Sequence, residues 1–187
     1  MNIVLGSASP RRSDLLRQLG FDFRILKADC AEDFDPTETP ENIVVQIAQQ
    51  KADALFPSLA AEEVLICADT IVYLNGEVIG KPIDATDAIH LLNTLSGNMH
   101  EVYTGVILQS KEKRCSFTVK TSVYFRTLFP EEITHYVAHF NPLDKAGSYG
   151  IQDWIGLIGV EKIEGSYTNV MGLPTHELYA ALRAFEA

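Results

Sequence analysis

The sequence predicts an α/β fold, a mixed sheet with flanking helices, and three observations carry that prediction. Apolar runs of strand length alternate with helical patterns along the chain. The most apolar of them, residues 64–74, is followed by Asn75-Gly76, the residue pair of a tight hairpin turn, so a second strand returns beside it. Residues 100–109 and 115–128 read as two long strands joined around residues 110–113, which makes them natural antiparallel neighbours. The chain has 187 residues, of which 47% are hydrophobic and 21% charged, enough apolar material for a sizeable core in one domain over residues 1–187.

Taken in order, residues 2–5 form a short strand and Gly6-Ser7-Ala8 a link of small residues. Ser9 is placed to cap the helix that follows, Pro10 suits its first turn, and Leu15, Leu16 and Leu19 give its apolar face before Gly20 ends it. Arg11 and Arg12 then occupy the first helical turn, where the helix dipole favours anions. Small residues, backbone N–H groups and two arginines together make an anion site, with solvated arginines as the plain alternative. Residues 21–27 read as a strand, and residues 29–39 as an acidic loop carrying Glu32, Asp33 and Asp35. Thr39-Pro40 opens a helix with Ile43, Ile47, Ala48 and Leu55 on one face and Lys51 mounted within it.

The central run is interrupted by Asp69-Thr70, and a buried carboxylate needs a partner, a metal or a chemical task. The returning strand ends in Gly80-Lys-Pro82, which could bring Lys81 near Asp69 and Thr70; a hairpin with one buried ion pair is the simpler reading. Residues 85–95 form a helix with an acidic first turn from Asp84 and Asp87. Thr104 and Gly105 fall mid-strand, where glycine signals close approach. Pro130 opens a short helix to about residue 139 with His135 and His139 on one face, but a third metal ligand is not evident. Residues 141–152 have no clean period: Asp144-Lys145 supplies an acid and a cation, Gly147 and Gly150 permit sharp turns, and Gln152 offers a donor and an acceptor suited to a base edge. Pro174 starts a terminal amphipathic helix.

The balance of 15 Lys+Arg against 25 Asp+Glu, a net charge of -10, argues against nonspecific nucleic-acid binding and against anionic membranes as partners. A nucleotide ligand needs only a local cluster of cations. Cys30, Cys67 and Cys115 are odd in number and far apart, which suits a reducing cytoplasm and gives no disulfide or zinc framework. Apolar runs stay well short of the roughly 20 residues of a membrane span. The first basic residues follow the apolar ones, the reverse of a secretory signal. Cations at Arg11, Arg12, Lys81 and Lys145, with acids able to hold Mg²⁺ or Mn²⁺, are the equipment of phosphoryl or nucleotidyl chemistry. Phosphate-binding P-loop and hydrolase nucleophile-elbow motifs are both missing.

Five motifs in order, Ser7-Ala-Ser-Pro-Arg-Arg12, Ala68-Asp-Thr-Ile-Val72 with Gly80-Lys-Pro82, Leu95-Ser-Gly97 before His100, Thr104-Gly105, and Asp144-Lys-Ala-Gly-Ser-Tyr-Gly-Ile-Gln152, resemble the Maf family of nucleotide pyrophosphatases, also called septum formation inhibitors. The resemblance covers essentially the whole chain. It implies a Maf-like (ITPase-like) elongated mixed sheet with two lobes around a central cleft, commonly dimeric. It also implies metal-dependent hydrolysis of a nucleoside triphosphate to monophosphate and pyrophosphate by water attack on the α-phosphorus. Asp69 matches the family's essential aspartate, as metal ligand or water-activating base. Arg12, Lys51 and Lys81 match its phosphate-side cations, and Glu32 an acidic metal position for which Asp33 is the alternative. Ser7, Ser9, Arg11, Thr70, Asp144, Lys145 and Gln152 complete the implied substrate site. Residues 144–152 are similar to the branch acting on dTTP and UTP, with modified pyrimidine nucleotides as further substrates, and make Gln152 a pyrimidine-side determinant. A preference for 7-methyl-GTP or ITP, and a nucleotide-binding regulator of division without turnover, are the competing readings. The chain departs from that branch at Asp153-Trp154, where glycine often follows the glutamine.

Overall fold

A computed structural model describes residues 2–186. Strands β1 (Asn2–Leu5), β2 (Phe23–Ile25), β3 (Glu63–Leu74), β4 (Glu77–Ile79), β5 (Met99–Gln109), β6 (Arg114–Phe125) and β7 (Val160–Glu164) form one seven-stranded mixed sheet. The helices are α1 (Pro10–Gln18), α2 (Pro40–Leu55), α3 (Ala85–Leu95), α4 (Pro130–Phe140), α5 (Trp154–Gly159), α6 (Tyr167–Val170) and α7 (Thr175–Glu186). The strand order is β2-β1-β3-β5-β6-β7, with β4 paired to β3. β1 runs parallel to both β2 and β3, while β3–β4 and β6–β7 are antiparallel. The α/β prediction therefore holds. Among the described residues no helix is long and apolar enough to cross a membrane.

The chain divides into two compact units. The first takes the chain up to Thr70, residues 104–119 and the chain from Gly172 on; the second takes residues 71–103 and 120–171. In the first, β1 and β3 pack Val4, Leu65 and Cys67 against Ala48, Ala52 and Leu55 of α2. Thr39 caps α2 by accepting the Asn42 N–H at 3.4 Å. The close approach signalled at Gly105 is to this helix: a Cβ there would lie 2.6 Å from the backbone carbon and oxygen of Val44. In the second unit, Leu92 and Leu95 of α3 and Ile133 and Tyr136 of α4 pack on Val102, Val123 and Phe125. Asn75 and Gly76 both take positive φ, 52° and 92°, as the hairpin reading of that pair requires.

Element ends differ from expectation in three places. β2 is shorter than residues 21–27, and β6 stops at Phe125 rather than 128. Arg126 N–H donates to the Gly159 carbonyl at 2.9 Å, past the irregularity in β6–β7 pairing at Tyr124 and Phe125. Ser9 does stand before α1, but its side chain makes no capping bond; its own N–H instead donates to the Ser7 hydroxyl at 3.2 Å.

His100 shows how completely the second core excludes water. It is 1% exposed, shares a 2.7 Å hydrogen bond between Nε2 and the Tyr149 hydroxyl, and stands edge-on to Phe125. Burial pushes its imidazole down to about 4.

Two outcomes follow from this packing. Gly105→Ala should destabilise the protein by about 1–3 kcal/mol or more in urea unfolding, because helix backbone must move to admit the methyl group; an unchanged midpoint would mean that α2 is free to shift. The unfolded chain takes up a proton at His100 near pH 6.5, the folded chain only near 4, so stability is lost as pH falls between these values. On going from about pH 7.5 to about 4.5, the wild type should lose about 2–3 kcal/mol more than His100→Gln. Equal losses would show that His100 is not held neutral.

Candidate active site

The first unit builds its polar centre where β1 ends. Gly6 N–H donates to the Ile66 carbonyl at 2.8 Å, and the chain then turns through buried Ser7 into α1. Arg12 reaches back across this turn. Its Nε donates to the Gly172 carbonyl at 2.7 Å, one terminal nitrogen to Ser7 Oγ at 3.2 Å, and the other to Thr70 Oγ1 at 3.0 Å. Thr70 Oγ1 in turn shares a 2.9 Å hydrogen bond with the Thr104 hydroxyl. Burial pulls the Arg12 pKa down from its ordinary value, while the field of Asp69 pushes it up and that of Arg11 adds to the lowering. A guanidinium nonetheless stays charged. Arg12 is thus fixed by three segments of chain rather than free in solvent. α1 has no acidic residue in its first turn, so its N-terminal dipole remains available to an anion.

Asp69 stands one residue earlier on β3 and is 8% exposed. Lys51 of α2 meets it, Nζ to Oδ1, at 2.6 Å. The same ammonium lies 2.9 Å from Glu32 Oε1. Gln50 Nε2 donates to the Asp33 backbone carbonyl at 2.7 Å and so ties the acidic loop to α2. Glu32 is thus the loop carboxylate paired with Lys51, while Asp33 meets α2 through its backbone carbonyl. Two carboxylates on one cation are a hard-oxygen donor pair whose chemistry fits Mg²⁺ or Mn²⁺, with water and phosphate oxygens supplying the other ligands. Among the described residues no group of three or more His, Cys, Asp or Glu could hold a metal ion alone.

The second unit carries Lys81 and the irregular loop. Lys81 is exposed; its position is set by Gly80, whose carbonyl accepts the Gly147 N–H at 3.0 Å, and by buried Pro82. Asn141 at φ 44° turns the chain out of α4, and Gly147 and Ser148 are also left-handed. Lys145 Nζ lies 3.0 Å from Asp144 Oδ1 and 3.7 Å from Asp153 Oδ2. Gln152 is half-buried, and its Oε1 is enclosed without a hydrogen-bond partner among the described residues. The Asp153-Trp154 departure proves to be built in. Asp153 accepts the Tyr136 hydroxyl at 2.7 Å, and Trp154 packs edge-on against His135, whose ring stacks on that of His139.

The structure therefore joins Ser7, Arg12 and Thr70 in one network, and Glu32, Lys51 and Asp69 in another. Asp144 and Lys145 pair, with Gln152 on the same loop. Sequence reasoning missed Tyr136. Its signal was a phenol between Ile133 and Val137 on the buried face of α4, where a hydroxyl must find a partner.

A family model described as Maf-like protein matches residues 2–185. The chain is 48% identical over 182 residues to a protein of Bacteroides fragilis named dTTP/UTP pyrophosphatase, covering 97% of this chain and 94% of that one. Proteins of the same name from Parabacteroides distasonis and Christiangramia forsetii are 46% and 42% identical, covering 98% and 97% of this chain and 95% and 92% of theirs. The solved structure of the Staphylococcus aureus Ham1 protein is similar over 100% of both chains with a TM-score of 0.53 at 16% identity, a likeness of fold. With its five motifs in order and the family model matched almost from end to end, this chain belongs to the Maf family.

Proposed function

We propose that this chain hydrolyses UTP and dTTP, and modified pyrimidine nucleotides like them, to the nucleoside monophosphate and pyrophosphate with the help of a divalent metal. The observation that carries the reading is Lys51 held between Asp69 and Glu32, next to the Arg12 network. The names of the relatives support the same substrates.

Water attacks the α-phosphorus: a new O–P bond forms, the bond from that phosphorus to the bridging oxygen breaks, and pyrophosphate leaves. Asp69 accepts the proton of the attacking water. Its Lys51 partner orients the carboxylate, Nζ to Oδ1 at 2.6 Å. Asp69 and Glu32 are the residues that would hold Mg²⁺ or Mn²⁺, and a metal bound there would neutralise triphosphate charge and make bound water more acidic. Arg12 presents a fixed guanidinium to the phosphates, so little reorganisation is needed as charge moves onto the leaving group. The α1 N-terminus, with Ser7, Ser9 and Arg11, adds donors for the same oxygens. Lys81 and Lys145 contribute further cations.

Gln152 reads the base. Uracil and thymine offer an N3–H donor between two carbonyl acceptors, and the enclosed Gln152 Oε1 lacks a donor among the described residues.

The deciding experiment is pyrophosphate release from UTP, dTTP, CTP, GTP, ITP and 7-methyl-GTP with Mg²⁺ or Mn²⁺, and after chelation. UTP and dTTP should turn over fastest, chelation should stop the reaction, and Asp69→Asn should nearly abolish it while circular dichroism stays unchanged. A preference for ITP or 7-methyl-GTP would overturn the base assignment. Tight binding without turnover would make the protein a nucleotide-binding regulator. Arg12→Lys should lower kcat by about 10²-fold, since one ammonium cannot reproduce the fork on Ser7, Thr70 and Gly172; unchanged kcat would remove Arg12 from the phosphate site.

A further inference from the structure

We propose that Tyr136 and Asp153 are positioning residues that set base selectivity by fixing the Gln152 carboxamide through a Gly150–Tyr136–Asp153 bridge, an inference that rests on Gln152 reading the base. The bridge is built on one tight turn. Asp153 N–H donates to the Gly150 carbonyl at 3.0 Å, which places Gln152 as the residue just before the turn closes. A single phenol then holds both ends. Gly150 N–H donates to Tyr136 Oη at 3.1 Å, and the Tyr136 O–H donates to Asp153 Oδ2 at 2.7 Å.

The anchor is rigid because the Tyr136 side chain is 0% exposed in the core of the second unit, stacked on Phe140 with ring centroids 5.2 Å apart. Burial, and then the bond to Asp153, raises the Tyr136 pKa, so the hydroxyl remains a donor near neutral pH. Asp153 is committed to this role. It precedes α5 yet makes no side-chain capping bond to that helix, and Lys145 lies 3.7 Å from the same oxygen.

Gly150 shows how closely the parts fit. A Cβ there would lie 2.5 Å from Asp153 Oδ2 and 2.9 Å from Gln152 Nε2, so both side chains fold across the bare glycine. Gln152 Nε2 thus lies over the turn, while Oε1 is buried without a hydrogen-bond partner among the described residues.

Orientation is what selects among pyrimidines. Uracil and thymine carry a donor at N3, whereas cytosine carries an acceptor there beside an amino donor. A carboxamide free to rotate serves either pattern, because one end accepts and the other donates. A carboxamide fixed with its oxygen toward N3 serves only the first. A tyrosine–aspartate bond that merely stabilised the fold would weaken turnover of every base alike.

The test is kcat/KM for UTP and CTP in the wild type, Tyr136→Phe, Asp153→Ala, Asp153→Asn and Gln152→Ala, with urea midpoints as folding controls. Tyr136→Phe keeps the packed ring and removes both bonds. The UTP:CTP ratio should fall about tenfold in Tyr136→Phe and Asp153→Ala, chiefly through KM for UTP. Asp153→Asn, which still accepts the phenol hydrogen, should keep the ratio near wild type. Tyr136→Phe and Asp153→Ala combined should do no more than either alone, since both break one bridge. An unchanged ratio in folded Tyr136→Phe and Asp153→Ala, or equal losses for both bases, would overturn the proposal if Gln152→Ala still shifts the ratio. A ratio unmoved by Gln152→Ala would instead remove the base-reading role on which the bridge depends.

Discussion

A charged carboxylate in the middle of a core strand constrains everything packed against it. Asp69 follows Cys67 and Ala68, both 0% exposed, and removing an ion from water costs several kcal/mol unless a counter-charge meets it. Lys51 supplies that charge from α2, so α2 must lie close to β3 and in one rotational setting; a slip of one residue would swing the lysine about 100° around the helix. Bare Gly105 admits the helix backbone on this side, and Ala48 and Ala52 keep its face thin. The acidic loop is gathered by the same helix through Gln50 and Lys51. A site requirement and a packing requirement thus converge on one helix.

Arg12 answers the opposite problem, a cation at the positive end of a helix dipole. Its three acceptors, Ser7, Thr70 and the Gly172 carbonyl, are neutral. They orient the fork without discharging it, and the more distant field of Asp69, with smaller ones from Cys67 and Glu32, offsets part of the burial that opposes the charge. Such a group is pre-set for an anion: its geometry is fixed during folding, and its electrostatic need is met on binding.

What could be read from the sequence was whatever local chemistry decides. Asn75-Gly76 defines its turn through two positive φ angles, Thr39-Pro40 opens α2, and the strand–helix alternation gives the sheet class, whereas Asp84, read as part of the acidic first turn of α3, is its cap. The Asp69–Lys51 pair was half legible, since burial demanded a partner but the periodicity of α2 did not name it. Ser9 had the residue type of a cap and stands at the N-cap position, yet its hydroxyl accepts no helix N–H. The Tyr136–Asp153 bridge was hidden because it links residues 17 apart in sequence across an aperiodic loop, and the phenol looks like another core residue. Helical spacing drew attention to the two histidines beside it, whose rings stack on one another.

The loop that carries Gln152 owes its form to such distant contacts rather than to its own propensities. Asn141 and Ser148 both sit at positive φ, which costs side chains with a Cβ about 1–3 kcal/mol each and persists only where surroundings over-determine the backbone. Here they do: Gly147 is tied to Gly80, Tyr149 to His100, and Gly150 to Tyr136. Each tie comes from a different element, so no single one sets the loop, but each fixes a different residue along it. A loop ordered before its ligand arrives loses little further entropy on binding. The orientation of its polar groups is then decided by the core behind it, so under the proposed base-reading role of Gln152 selectivity depends on a buried phenol as directly as on the glutamine itself.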